Sequence, residues 1–147
     1  MGLLSPADQD KLREAFAEMR SSVKIVFFTQ TLGCDTCLQT RQIIDELPVL
    51  TDKVAIEEVN LVLDTDRAKQ FGVDRAPTLA IVGVDAAGAE HDARIRFVGT
   101  PAGYEFISLV QAVLLVGGRE GVLTPENRGK LAAVSEPMII QVYTTPT

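Results

Sequence analysis

The chain has 147 residues, 46% hydrophobic and 23% charged, with a formal net charge of −6. That length suits one ordinary domain, and the composition excludes an intrinsically disordered, collagenous or disulfide-scaffold protein. The basic residues are scattered singly, so we expect no nucleic-acid partner, because phosphate contacts supply most of that affinity. No apolar run approaches the ~18 residues of a membrane span, and residues 1–8 lack a basic segment leading into an apolar stretch. We therefore expect a cytoplasmic protein without a membrane partner.

The first predicted elements are a helix, a buried strand and a second helix. Ser5 followed by Pro6 begins the first helix, because serine is a favoured N-cap and proline a favoured first residue. Apolar side chains then recur at helical spacing to about Arg20. Residues 23–28 are apolar on both faces apart from one lysine, which is typical of a buried strand. Residues 34–47 contain neither glycine nor proline and predict a helix.

The middle of the chain predicts two strands with a short helix between them, then a hairpin partner and a final helix of the domain. In order, these are a strand at 53–63, a helix at 65–71 closed by Gly72, a strand at 78–82, a polar loop at 85–93, an alternating strand at 94–98 and a helix from 99 to 117. The single histidine, His91, falls in the polar loop. We expect it to be a solvated loop residue.

The C-terminal region predicts one more helix, at 124–134, and an apolar strand at 138–143. Residues 25–31 and 140–146 share a pattern, an apolar strand that ends on an aromatic residue and continues into a threonine-containing segment. We interpret residues 1–118 as one unit and 119–147 as a linker helix and the start of a second unit of the same kind. The alternative is a strand added to the sheet edge. Because an exposed apolar strand aggregates, we expect 138–143 to be covered, with a homodimer through this segment favoured.

Cys34 and Cys37 are the two cysteines, at positions i and i+3 of a predicted helix start. Residues at this spacing share a helix face, so a disulfide forms with little backbone movement. The helix N-terminus favours a thiolate, which lowers the expected pKa of Cys34, while Cys37 faces the core as the resolving thiol.

Three other interpretations of the cysteine pair stay open. Tetrahedral zinc needs two more ligands, and His91 is the one further histidine or cysteine in the chain, so we expect no metal. A purely structural disulfide would constrain little, because it encloses only Asp35 and Thr36. The third alternative is a pair of inert buried thiols.

The order of these motifs resembles the thioredoxin fold. A CxxC pair stands between a strand and a helix, Ala76-Pro77-Thr78 precedes a later strand, and Phe97-Val98-Gly99 ends the next one. The leading helix and the second unit resemble the glutaredoxin-like protein disulfide oxidoreductases, which contain two thioredoxin units. The resemblance implies an α/β fold with a four-stranded mixed sheet flanked by helices, followed here by the first helix and strand of the second unit.

The resemblance also implies roles for particular residues. Cys34 corresponds to the family's nucleophile and Cys37 to its resolving cysteine. Pro77 corresponds to the cis-proline that faces the cysteines, and the backbone of Ala76 before it pairs with an extended substrate. Gly99 lets the substrate backbone approach closely.

Glu58 lies about where thioredoxins carry a charged residue beneath the active site, and there it could accept the proton of Cys37. We expect it to be at least partly buried near Cys37. The alternative is a solvated strand acid, or one paired with a neighbouring base, with Glu57 on the opposite face as the rival.

The activity implied is that of a dithiol–disulfide oxidoreductase acting on protein disulfides, without a cofactor and with a thioredoxin-reductase-like electron donor. One alternative is an electron-relay domain similar to the N-terminal module of the alkyl hydroperoxide reductase flavoprotein, although the first unit of that module lacks these cysteines. The other is a non-catalytic, client-binding unit. Gly33 stands where thioredoxin has tryptophan, and Asp35 would repel a neighbouring thiolate, so the redox potential stays open.

Overall fold

A computed structural model of the protein describes residues 2–145. These residues form helices and strands in the order α1 (Pro6–Ala17), β1 (Ser22–Thr29), α2 (Cys37–Ile44), β2 (Val54–Asn60), α3 (Thr65–Phe71), β3 (Thr78–Val84), β4 (Glu90–Val98), α4 (Tyr104–Val116) and α5 (Pro125–Ala132). No helix among them is both long and apolar enough to cross a membrane.

The four strands form one mixed sheet in the order β2, β1, β3, β4. Strand β1 is parallel to β2 and antiparallel to β3, and β3 is antiparallel to β4. The predicted α/β fold with a four-stranded mixed sheet is confirmed.

Alternate residues of the central strand β1 belong to two apolar clusters, one on each face of the sheet. Val23, Ile25 and Phe27 belong to the larger cluster, which also takes in side chains of α1, α2 and α4. Val26 and Phe28 belong to the smaller cluster, which lies under α3. Residues 23–28 are therefore a buried strand, as predicted, because both faces of the sheet are covered by helices.

The caps read from the sequence are confirmed. The Ser5 hydroxyl accepts a hydrogen bond from the Asp8 amide, which satisfies a free N–H of the first turn of α1. Gly72 ends α3 in the left-handed conformation, with φ of 64°. Phe16, on the predicted apolar face of α1, is buried. The helix ends at Ala17 and not at about Arg20, so the buried Met19 lies just after it.

Three predicted elements begin at the wrong residue: α2, β4 and α4, the last of which begins at Tyr104 and not at 99 because residues 99–103 form the loop before it. Helix α2 begins at Cys37, not at Cys34, because residues 34–36 form the turn that precedes it. Strand β4 begins at Glu90, not at 94, and it holds His91 opposite Gly83. A bulge explains the second error: Ile81 pairs with Ile95, whereas the next residue, Val82, pairs with Asp92. The two extra residues break the alternation of side chains by which a strand is recognised. His91 is exposed, as predicted, although it lies on a strand and not in a loop.

The predicted strand at 138–143 is wrong for these described residues. They have no strand partner, and the side chain of Ile139 is 89% exposed. A strand needs backbone hydrogen bonds from a neighbour, and this segment pairs with neither edge strand of the sheet, β2 or β4. Pro146, part of the compared pattern, lies outside the described residues.

Candidate active site

Cys34 and Cys37 form a disulfide at the C-terminal end of β1, in the turn that leads into α2. Their Cα atoms are 5.5 Å apart, so the turn brings the two sulfur atoms together without help from other elements. The two cysteines differ in exposure. Cys37 is buried in the larger cluster, with 7% of its surface exposed, whereas Cys34 is half-buried at the edge of that cluster.

The loop before the disulfide is held by local hydrogen bonds. Gly33 adopts φ of 74°, a conformation in which a side chain would be strained. Its carbonyl accepts a hydrogen bond of 3.2 Å from the side-chain amide of Gln30. The carbonyl of Thr29, at the end of β1, accepts one of 2.8 Å from the amide of Leu61, just after β2. The loops after β1 and β2 therefore lie at the same end of the sheet.

The Ala76-Pro77 segment leads into β3 at this same end. Its peptide bond is cis. The Pro77 carbonyl accepts a hydrogen bond of 2.9 Å from the amide of Gly99, which follows β4 with φ of 102°. Ala76 is half-buried and packs on the cluster that Cys34 also borders. The structure thus brings five residues predicted for the site to one end of the sheet, namely Cys34, Cys37, Ala76, Pro77 and Gly99.

The backbone of Ala76 is free to bind. Within residues 2–145, neither its amide nor its carbonyl forms a hydrogen bond. An unpaired backbone position next to a strand is where an extended peptide can add its own hydrogen bonds.

Glu58 forms an ion pair with Arg41, on the second turn of α2. Val54 and Ile56 pack in the same cluster as Cys37, so the alternation of β2 puts Glu58 on that face too. However, 51% of its side chain is exposed. This is the alternative left open by the sequence, a strand acid paired with a neighbouring base. Its role in proton transfer stays a prediction.

Glu57 points to the other face of the sheet and belongs to a different cluster of charges. The Arg67 guanidinium donates two hydrogen bonds to its carboxylate, at 2.9 and 2.8 Å, and the Lys24 ammonium lies 3.3 Å away. The Arg67 hydrogen bonds hold the pKa of Glu57 below its usual value. Lys24 and Arg67 also bind Glu90 on β4, and these hydrogen bonds lower the pKa of Glu90. This four-residue charge cluster ties together β1, β2, β4 and α3.

Two threonines beneath the disulfide were missed by the sequence analysis. The Thr40 hydroxyl, on α2, is fully buried and lies 2.8 Å from the hydroxyl of Thr100, in the loop after Gly99. A signal was present, since Thr40 falls at helical spacing between the buried Cys37 and Ile44. A threonine in such a position must find a hydrogen-bond partner.

The described residues contain no group of three or more histidine, cysteine and acidic side chains that could hold a metal. His91 instead forms a hydrogen bond of 3.3 Å between its Nε2 and the carboxylate of Asp85.

The chain resembles known proteins both in sequence and in fold. No family model matches the chain. It is 29% identical over 89 residues to a probable thioredoxin of Methanothermobacter marburgensis, covering 60% of this chain and 92% of that protein. It is 34% identical over 85 residues to an NADH dehydrogenase of Bacillus subtilis, covering 58% of this chain but 13% of that protein.

Two solved structures resemble most of the chain. The N-terminal domain of the alkylhydroperoxide reductase AhpF of Enterococcus faecalis has a TM-score of 0.79 and 22% identity, and covers 90% of this chain and 62% of that one. A protein disulfide oxidoreductase of Aeropyrum pernix has a TM-score of 0.72 and 24% identity, and covers 88% of this chain and 54% of that one. The chain therefore spans less than two thirds of either structure. Together, these likenesses show a thioredoxin-like fold, and within it Cys34 and Cys37 form a CxxC disulfide.

Proposed function

We propose that the chain exchanges disulfides with protein substrates through Cys34 and Cys37. In the reducing direction, the Cys34 thiolate attacks one sulfur of a substrate disulfide, forms a mixed disulfide and releases the other sulfur as a thiolate, which takes up a proton. Cys37 then loses its proton and attacks the Cys34 sulfur. The products are the Cys34–Cys37 disulfide and a fully reduced substrate, and two electrons have passed to the substrate.

The single observation that carries this proposal is the unequal exposure of the two cysteines that share one disulfide. Cys34 is half-buried and so keeps some surface open to a substrate, whereas Cys37 is buried. This arrangement suits an entering nucleophile and a resolving thiol.

Large exposed apolar side chains support a protein as the substrate. Leu32 precedes the disulfide loop, Val98 ends β4 beside Gly99, and Tyr104 begins α4, and all three are more than half exposed. Exposed apolar side chains gathered near a site are typical of protein-binding surfaces. The free amide and carbonyl of Ala76 would add backbone hydrogen bonds to an extended substrate segment.

The test is turnover of a protein disulfide. The full chain with dithiothreitol should reduce insulin many times faster than dithiothreitol alone, and Cys34→Ser should remove this rate. A chain that binds insulin without accelerating its reduction is a client-binding unit, and that outcome contradicts the proposal.

A second candidate, relay of electrons from a flavoprotein to a peroxidase, is favoured by the similarity to the N-terminal domain of an alkylhydroperoxide reductase. Under this candidate a peroxiredoxin disulfide should be a far better substrate than insulin. Equal or slower reduction of the peroxiredoxin would favour the general protein substrate. We propose a thioredoxin-reductase-like donor in the cytoplasm for the first candidate.

We also propose that Glu58 accepts the Cys37 proton, despite its pairing with Arg41. If so, Glu58→Gln should shift the pH profile of thiol alkylation, while Glu57→Gln, on the opposite face, should leave it unchanged. The reverse pattern would assign the role to Glu57, and no shift in either variant would assign it to water.

Finally, we propose that the exposed apolar segment 138–143 is covered by another chain or by a second unit of the same kind. Five of its side chains are at least 63% exposed, and they are Met138, Ile139, Ile140, Val142 and Tyr143. Sedimentation of the chain with and without residues 136–147 tests this. A dimer that is lost with the segment supports pairing between copies, and a monomer in both cases contradicts it.

A further inference from the structure

The carbonyl of Thr36, between the two cysteines, accepts two hydrogen bonds from Thr40. It accepts the Thr40 amide at 2.9 Å and the Thr40 hydroxyl, also at 2.9 Å. A threonine that bonds back to the carbonyl four residues earlier is common in helices. By itself, this contact says nothing beyond the helix.

A second hydroxyl, 60 residues away in the chain, makes the contact part of a longer connection. The Thr100 Oγ1 lies 2.8 Å from the Thr40 Oγ1 and 3.5 Å from the Thr36 carbonyl. Because the Thr40 hydroxyl uses its one proton on Thr36, we assign Thr100 as the donor to Thr40. Thr40 is 0% exposed, so its own hydroxyl has no contact with solvent.

Thr100 in turn follows Gly99, whose amide donates to the Pro77 carbonyl at 2.9 Å. The Ala76-Pro77 segment is therefore hydrogen-bonded to Gly99, and the next residue, Thr100, is hydrogen-bonded to Thr40. Thr40 in turn is hydrogen-bonded to the turn between the cysteines. The connection joins the peptide segment proposed to bind substrate with the turn that carries the chemistry.

We propose that Thr40 and Thr100 are positioning residues that hold the Cys34–Cys37 turn against the Gly99 loop. The proposal rests on the function given above. A turn held in this conformation keeps the Cys37 sulfur beside Cys34 and so raises its effective concentration there. Two quantities should depend on the pair of hydroxyls: the equilibrium constant for forming the intramolecular disulfide, and the rate at which Cys37 resolves a mixed disulfide.

The equilibrium with glutathione measures the first quantity directly. Oxidised glutathione takes two electrons from the dithiol, giving the Cys34–Cys37 disulfide and two reduced glutathione molecules. Thr40→Val and Thr100→Val keep the branched shape of the side chain and remove the hydroxyl. Thr100→Val removes the hydrogen bond to Thr40 and should lower the equilibrium constant about two- to tenfold, the effect of one hydrogen bond. Thr40→Val removes that bond and the one to the Thr36 carbonyl, and should lower the constant by at least as much. The double variant should lose no more than the larger single loss, because the two hydroxyls act as one connection.

Two controls separate positioning from general disturbance. Thr40→Ser restores the hydroxyl and should return the constant to within about twofold of the unchanged protein. Thr51→Val removes a hydroxyl that accepts only the Lys53 amide, just before β2 and at the other end of the sheet, and should have no effect. If Thr40→Val does not fold, the half-buried Thr100 carries the test alone.

Unchanged constants in the valine variants, or equal losses in Thr51→Val, would overturn the proposal. The glutathione equilibrium is measured on the chain without a protein substrate. A failure of the positioning proposal is therefore distinguishable from a failure of insulin turnover.

Discussion

Strand β1 and the segment 138–143 have nearly the same apolar pattern but very different surroundings. Strand β1 pairs with β2 on one side and β3 on the other, and Phe27 is 1% exposed. In the second segment, Ile140 is 82% exposed and no strand lies beside it. An apolar sequence pattern indicates that burial of the segment is favourable. Whether the segment forms a strand depends on a neighbouring strand with which its backbone can form hydrogen bonds. The loop after β1 is consequently fixed well enough to carry a disulfide.

The largest expected difference between the two regions is in stability. Phe27→Ala removes a buried ring from the larger cluster and should lower the free energy of unfolding by about 3–5 kcal/mol. Ile140→Ala removes an exposed side chain and should change it by less than about 0.5 kcal/mol. Urea unfolding measures both. Comparable losses would mean that 138–143 is buried in solution, and the contrast between the two regions would fail.

Low pH should destabilise the sheet around β1, where Glu57 of β2 lies beside Lys24, but not the region around 138–143. This difference in stability should be smaller than the one between Phe27→Ala and Ile140→Ala. The pKa of Glu57 lies below its usual value, so its pairing stabilises the fold at neutral pH, and this contribution is lost as the pH falls below 4.5. Glu57→Gln should therefore cost on the order of 1 kcal/mol at pH 7 and much less at pH 3. Glu136→Gln is the matched control, since Glu136 forms no ion pair among residues 2–145. A cost for Glu57→Gln that does not change with pH would exclude the ion pairs as its source.

The smallest change in stability should be the one caused by proteolytic cleavage near 138–143. A protease at low concentration should cut the chain there first, because these residues are exposed and lack strand hydrogen bonds. The cleaved protein should keep its melting temperature within a few degrees. Mass spectrometry identifies the first cut. Initial cleavage within 22–29 would show that β1 is the less protected region.

The sequence was sufficient for the parts of the fold whose signals are local. The Ser5 cap, the Gly72 end of α3 and the doubly buried run of β1 each follow from neighbouring residues, and so does the cysteine pair at the start of α2. The roles of Ala76, Pro77 and Gly99 came from a resemblance, and the structure brings these residues to the same end of the sheet as the disulfide.

The features that were missed depend on contacts between distant parts of the chain. The bulge that moves the start of β4 to Glu90 is a matter of pairing with β3, and the link from Thr40 to Thr100 spans 60 residues. Neither of these can be predicted from the residues on either side.

The central claim is that Cys34 attacks substrate and Cys37 resolves the product, and trapping tests it most directly. Cys37→Ser, mixed with a protein disulfide, should accumulate a mixed disulfide through Cys34 that mass spectrometry detects and dithiothreitol removes. Cys34→Ser, the matched control, should trap little, because Cys37 is buried. Equal trapping by both variants, or trapping by Cys34→Ser alone, would contradict the assigned roles.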